Sequence, residues 1–191
     1  MDASIVASSF LLLFLAEMGD KTQLMAMTLA RRYRPLPVAL GTCAAFLVLD
    51  LVAVLAGDLL LRFVPQRALL GIAGLLFLTF AWNSWRTAIN GDGSAADTGS
   101  THGALVTSFL LIFVAELGDK TQIALLTLVA STGAPWSVFA GGTLALWSVS
   151  LLGVFVGATL LARVPALWVH RGAAALFAVF GLLALARVLN D

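Results

Sequence analysis

The sequence predicts an all-α integral membrane protein of six transmembrane helices, arranged as two inverted-topology three-helix repeats. Three observations lead there. Of 191 residues, 61% are hydrophobic and only 11% are charged, against about 45–50% and about 25% in soluble domains. Six apolar stretches reach the roughly 20 residues that a spanning helix needs. One polar motif occurs twice, once in each half. So few charges cannot cover a water-facing surface, which excludes a small soluble enzyme. A net charge of +1 excludes a general nucleic-acid binder. The single Cys43 excludes a disulfide framework and a multi-Cys metal site. Two histidines, His102 and His170, are too few for a histidine-rich zinc or copper centre.

The expected spans cover residues 5–30, 37–62, 67–89, 104–130, 136–162 and 168–189. The first ends in Arg31, Arg32, Tyr33, Arg34, Pro35 and Pro37. Pro65, Gln66 and Arg67 divide the second from the third. Pro135 divides the fourth from the fifth, and Pro165 the fifth from the sixth. Proline removes a backbone donor and pushes its predecessor out of the helix, so each is a natural boundary. Asn90 to Gly103 is rich in Gly, Ser, Asp and Thr and reads as a flexible linker. The expected organisation is residues 1–89 as the first repeat, 90–103 as linker and 104–191 as the second repeat, in a single membrane domain with no stretch left for a soluble one.

Arginine placement orients the spans. The first, third and fifth connections carry Arg31, Arg32, Arg34, Arg86, Arg163 and Arg171; the opposite side carries Arg62, Arg67 and Arg187. Six against three favours both termini outside. The N-terminal run lacks a basic region and is interrupted by Glu17 and Asp20, so it does not read as a cleaved signal peptide. Trp82, Trp85, Trp136 and Trp168 fall near span ends as interfacial anchors, whereas Trp147 lies deeper and packs.

The repeat is explicit. Ser9 to Leu29 reads SFLLLFLAEMGDKTQLMAMTL and Ser108 to Leu128 reads SFLLIFVAELGDKTQIALLTL, with fourteen of twenty-one positions identical at an offset of 99. Farther on, Gly41, Gly57 and Pro65 match Gly141, Gly157 and Pro165 at an offset of 100. Three spans per half is odd, so the second half enters the membrane from the opposite side. Many secondary transporters are built this way, with the substrate at the midplane between repeats.

Glu17 and Glu116 each lie about twelve residues into their spans, roughly 18 Å deep and near the bilayer centre. Charges there cost a few kcal/mol each and normally have a function. Glu at i and Asp at i+3 share a helix face, so Glu17 neighbours Asp20 and Glu116 neighbours Asp119. Lys21 and Lys120 supply one charge-balancing cation per motif. Four carboxylates and two lysines leave −2, which one divalent cation or two protons would cancel. The carboxylates, the amides of Gln23 and Gln122 and the hydroxyls of Thr22 and Thr121 are oxygen donors of the kind that suits Mn²⁺, Ca²⁺ and Mg²⁺. Gly19 and Gly118 are weak points where each helix can break. The plainer alternative is a pair of salt bridges gluing the first and fourth helices. Two copies with excess negative charge fit that poorly.

E-x-G-D-[KR]-[TS] occurring twice in a six-span chain with a polar central loop resembles the GDT family of divalent-cation/proton exchangers. The resemblance covers nearly the whole chain. It implies that Glu17, Asp20, Glu116 and Asp119 bind the cation, and that the protein exports a divalent cation against protons, from a bacterial inner membrane. Mn²⁺ or Ca²⁺ is then the transported substrate, with Mn²⁺ favoured, and no prosthetic group is implied. The partners are the cation, protons and the lipid bilayer, with a homo-oligomer left open. The residues also admit a passive cation channel, an exporter of a cationic organic solute such as a basic amino acid, and a non-transporting scaffold.

Asp50 stands alone in AFLVLDLVAVL, as a proton relay, an accessory ligand, or a carboxyl hydrogen-bonded to a neighbouring helix. Its repeat counterpart is Ser150. Asp58 and Arg62 are spaced as an interfacial ion pair. Gly153 and Gly157 form a G-x-x-x-G pair suited to close helix packing.

Overall fold

The computed structural model describes residues 1–63, 66–90 and 101–190. Positions 91–100 of the expected linker, Pro65, and the side chains of the expected Asp58–Arg62 pair lie outside the described residues. All regular structure among those described is helical: α1 (Ala3–Glu17), α2 (Lys21–Arg32), α3 (Pro35–Phe63), α4 (Gln66–Asn90), α5 (Thr101–Glu116), α6 (Lys120–Thr132), α7 (Pro135–Thr159) and α8 (Ala166–Asn190). A 3₁₀ turn, Leu161–Arg163, joins α7 to α8.

Local chemistry sets the ends. The Asp2 carboxylate caps α1 by accepting from the Ser4 amide at 2.9 Å and the Ser4 hydroxyl at 2.7 Å. The same donors hold that carboxyl below its ordinary range. Helix α2 stops at the extended Tyr33, two residues before Pro35. Helix α6 stops at Gly133 with φ +63°, and α7 restarts on Pro135.

Three helical segments are long and apolar enough to cross a membrane: Pro35–Leu55, Pro135–Thr159 and Leu167–Leu189. The number rises to five when α1 with α2, and α5 with α6, each count as one bent span. Two of the expected spans are not single helices. Residues 5–30 and 104–130 are not continuous helices; each breaks after its glutamate and turns, by 72° in the first and 66° in the second. Gly19 at φ +82° and Gly118 at φ +80° occupy the left-handed region, where a right-handed helix cannot continue.

Contacts at the helix ends show how the elements run. The Asp2 amide donates to Ser137 Oγ at 2.9 Å, which ties the start of α1 to the start of α7. Arg31 Nε donates to the Leu161 carbonyl at 3.1 Å, which ties the end of α2 to the end of α7. The bent pair α1–α2 therefore traverses the same thickness as α7. The end of α4 joins this second face, where Arg32 Nη1 donates to Ser84 Oγ at 3.3 Å.

The core repeats itself. Helix α1 packs on α7 and α5 on α3, while α4 and α8 pack on each other. A Cβ on Gly141 would strike the Val6 carbonyl and lie 2.9 Å from Ser9 Cβ; one on Gly41 would strike the Leu105 carbonyl and lie 3.1 Å from Ser108 Cβ. Ser9 and Ser108 are fully buried in these twin contacts. Phe77 and Phe177, also repeat partners, stack at 6.2 Å between α4 and α8. The outside is apolar: Leu15, Leu40, Leu55, Leu75, Phe155 and Leu182 are each more than half exposed. So broad an apolar surface suits lipid, not water.

Candidate cation site

The two helix breaks face each other. At each, a glutamate is the last residue of one helix and an aspartate is the N-cap of the next: Glu17 and Asp20, Glu116 and Asp119. The chain between them is held alike in both copies. The Asp20 amide donates to the Glu17 carbonyl, and the Asp119 amide to the Glu116 carbonyl, both at 3.1 Å. Gln23 Oε1 accepts from the Gly19 amide at 2.7 Å, and Gln122 Oε1 from the Gly118 amide at 2.9 Å. The glutamines thus cap the broken ends with the amide oxygens counted above as donors for a cation.

The break also changes how the carboxylates are arranged. Glu and Asp of one motif do not share a helix face, because no helix runs between them. The lysines do not balance their own motifs either. Lys21 ion-pairs with Asp119, lies 3.6 Å from Glu116 Oε1, and donates to the Ala115 carbonyl at 2.9 Å. Lys120 lies 3.1 Å from Asp20 Oδ2 and 3.7 Å from Glu17 Oε1. Each lysine starts the helix after its own break and reaches across to the other motif, which interlocks the halves.

Glu17 and Glu116 are each only 2% exposed. Thr121 stands between them, with its hydroxyl 2.8 Å from Glu17 Oε1 and 3.2 Å from Glu116 Oε2. Thr22 is buried on the matching helix. Glu17 Oε2 and Glu116 Oε1 are buried with no hydrogen-bond partner, as is Gln122 Nε2. A buried carboxylate oxygen without a donor is costly and calls for a cation or a proton. Asp20, Glu116 and Asp119 each place an oxygen within 4.8 Å of the others. Three convergent oxygen ligands can hold a hard divalent cation.

A cavity of about 330 Å³ reaches this cluster, lined by Asp20, Lys21, Asp119 and Lys120, by Leu70, Ala73 and Phe77 of α4, and by Phe180 and Arg187 of α8. Its α4 wall comes from the start of that helix, so it lies toward the end of the bundle opposite the Arg32–Ser84 contact. Nothing in the residue order marks these α4 and α8 walls, because apolar lining residues look like any other span. Arg187 was visible only as a charge in the topology count.

Asp50 makes its hydrogen bond elsewhere than with the residues at the breaks. It is 1% exposed and accepts from Thr143 Oγ1 at 2.9 Å, a bond from α3 to α7. Trp147 packs inside and donates to the Cys43 carbonyl at 2.9 Å.

Apolar helices broken at mid-length, with facing carboxylates partly neutralised by lysines, define a helical membrane protein with a charged cluster in its interior. A family model described as the divalent cation/proton antiporter GDT1 matches residues 5–92 and again residues 104–191, and the chain belongs to that family. It is 34% identical over 182 residues to a Vibrio cholerae protein named "Putative manganese exporter", covering 94% of this chain and 89% of that one. It is 31% identical over 176 residues to a GDT1-like protein of Synechocystis, covering 82% and 84%. A chloroplastic GDT1-like protein of Oryza sativa is 44% identical over 79 residues, 41% of this chain and 23% of the relative. No solved structure matches the chain.

Proposed function

We propose that the chain is a six-span exchanger of two inverted repeats that exports Mn²⁺ against protons, with both termini outside. The observation that carries the reading is the convergence of Asp20, Glu116 and Asp119 within 4.8 Å, beside buried, undonated oxygens of Glu17 and Glu116. Mn²⁺ is favoured over Ca²⁺ by the Vibrio cholerae relative's name; the oxygen donors accept both. The inverted arrangement is supported by the end contacts, which set the start of α1 and the end of α2 on opposite faces.

Counting hydrogens supports proton coupling at this site. Thr121 has one hydroxyl hydrogen and faces two carboxyl groups. It can donate to one; the other contact is a hydrogen bond only when that carboxyl is protonated. Both contacts are hydrogen bonds when one glutamate carries a proton, which supports a shared proton on the pair when no cation is bound. Cation binding needs the ionised oxygens and expels protons. The four carboxylates and two lysines sum to −2, a charge that one divalent cation or two protons would cancel. The halves then rock so that the site meets one face at a time. Close packing away from the cavity supports a carrier over an open channel: Gly153 and Gly157 of α7 lie so close to Gln23 and Met27 of α2 that neither tolerates a Cβ.

The test is Mn²⁺ and Ca²⁺ flux into proteoliposomes with a pH dye inside. Opposed proton movement that disappears in Glu116→Ala supports the exchanger and its site. Flux without proton movement indicates a channel, and no flux of either ion redirects the search to organic cations.

A further inference from the structure

Arg187 shares the cavity with the cation ligands. It lines the 330 Å³ space with Asp20 and Asp119, and a smaller adjoining space of about 70 Å³ with Lys21, Gly118 and Asp119. Among the described residues it is the one guanidinium in either lining. Leu70, Ala73, Phe77 and Phe180 are among the apolar residues of the wall, and apolar surface beside a fixed charge focuses its field along the path. Its repeat counterpart at an offset of 100, Thr87, is neutral.

A positive charge on the approach to a cation site is opposite to what capture requires. Coulomb energy scales with the product of charges, so the repulsion acts twice as strongly on a divalent ion as on a monovalent one. The lysines differ in kind: each is tied to a carboxylate of the other motif. Arg187 is exposed near the end of α8, and it also borders both spaces that Asp119 lines, so its charge stands at the mouth of the cavity. We propose that Arg187 is a specificity-setting residue of the vestibule: its charge weakens capture of divalent cations from this face and hastens their departure into it, so half-saturation differs between the two faces while the cation and proton gradients set the direction of net transport. The inference rests on the exchanger reading, which Mn²⁺ flux by the unaltered protein tests separately in the same vesicles.

The experiment varies charge at one position within one folded protein. In a Cys43→Ala background, Arg187→Cys is purified, then left free or labelled with a cationic or an anionic methanethiosulfonate. Half-saturating Mn²⁺ is measured from each face, with vesicles sorted by orientation. The expected order on the vestibule face is tightest for the anionic label, then the free thiol, then the cationic label. The neutral form should bind about fivefold or more tighter than the cationic form at low salt. That gap should close at about 1 M salt, where the screening length is about 3 Å. The opposite face should shift less. Equal half-saturation for all three forms, or a loss of maximal rate that ignores both label charge and salt, would overturn the proposal.

Discussion

At the scale of single residues, the site rests on two buried glutamates and the threonine between them. Replacing Glu17, Glu116 or Asp119 by Ala should reduce exchange to background while the protein still elutes as a folded species; normal flux in these variants would misplace the site. Thr121→Val keeps the volume and removes the hydroxyl. Hydrogen bonds to charged groups contribute about 1.5–3 kcal/mol, so cation flux should fall about tenfold or more, and Thr121→Ser should restore most of it. The counterpart change, Thr22→Val, should cost less, because the hydroxyl that bridges the glutamates is that of Thr121. Comparing the three variants under one imposed pH gradient decides the matter.

At the scale of elements, the glycines divide into two kinds with different consequences. Gly19 and Gly118 hold left-handed backbone at the breaks. No atom lies within 4 Å of a Cβ placed on Gly19, so Gly19→Ala should act through the backbone alone, at about 1–2 kcal/mol. Gly41 and Gly141 are ordinary helical residues pressed against another helix's carbonyl. Alanine at either should overpack the contact and destabilise by about 1–3 kcal/mol. Gly172 lies within α8 with open space around it, and there alanine should stabilise by about 0.5–1 kcal/mol. Thermal unfolding in detergent reads all four, and a uniform response would contradict this division. The positions of Gly41 and Gly141 in the repeat were plain in the sequence, but which helix each one touches was not.

At the scale of the whole molecule, the proposed exchange has protons and cation compete for the same carboxylates, and it predicts a sided pH response. Acid on the side from which Mn²⁺ is taken should inhibit, because protons occupy its ligands. Acid on the opposite side should stimulate, because it reloads the emptied site. Flux measured with each compartment's pH set independently checks this, and a response to pH that ignores side would argue against exchange. The site is also a product of both halves together. Lys21 serves Glu116 and Asp119, while Lys120 serves Glu17 and Asp20, so neither half carries a charge-balanced site of its own.

Composition and repetition by themselves determined that the chain is an apolar helical protein, that its halves share one motif, and which family it belongs to, since these are properties of residue order and hydropathy. Continuous spans over 5–30 and 104–130 were the natural reading, because apolar length cannot distinguish a straight helix from one bent at its centre. Only the tertiary structure decided that the breaks at Gly19 and Gly118 put each glutamate on one helix end and each aspartate on the next. It alone paired each lysine with the other motif, set Thr121 between two glutamates, and brought Arg187, some seventy residues from Glu116, to the cavity beside the acids. Such pairings depend on which helices meet and at what angle. Those are settled by close contacts such as Gly41 on Leu105 and Gly141 on Val6, which no local pattern in the chain specifies.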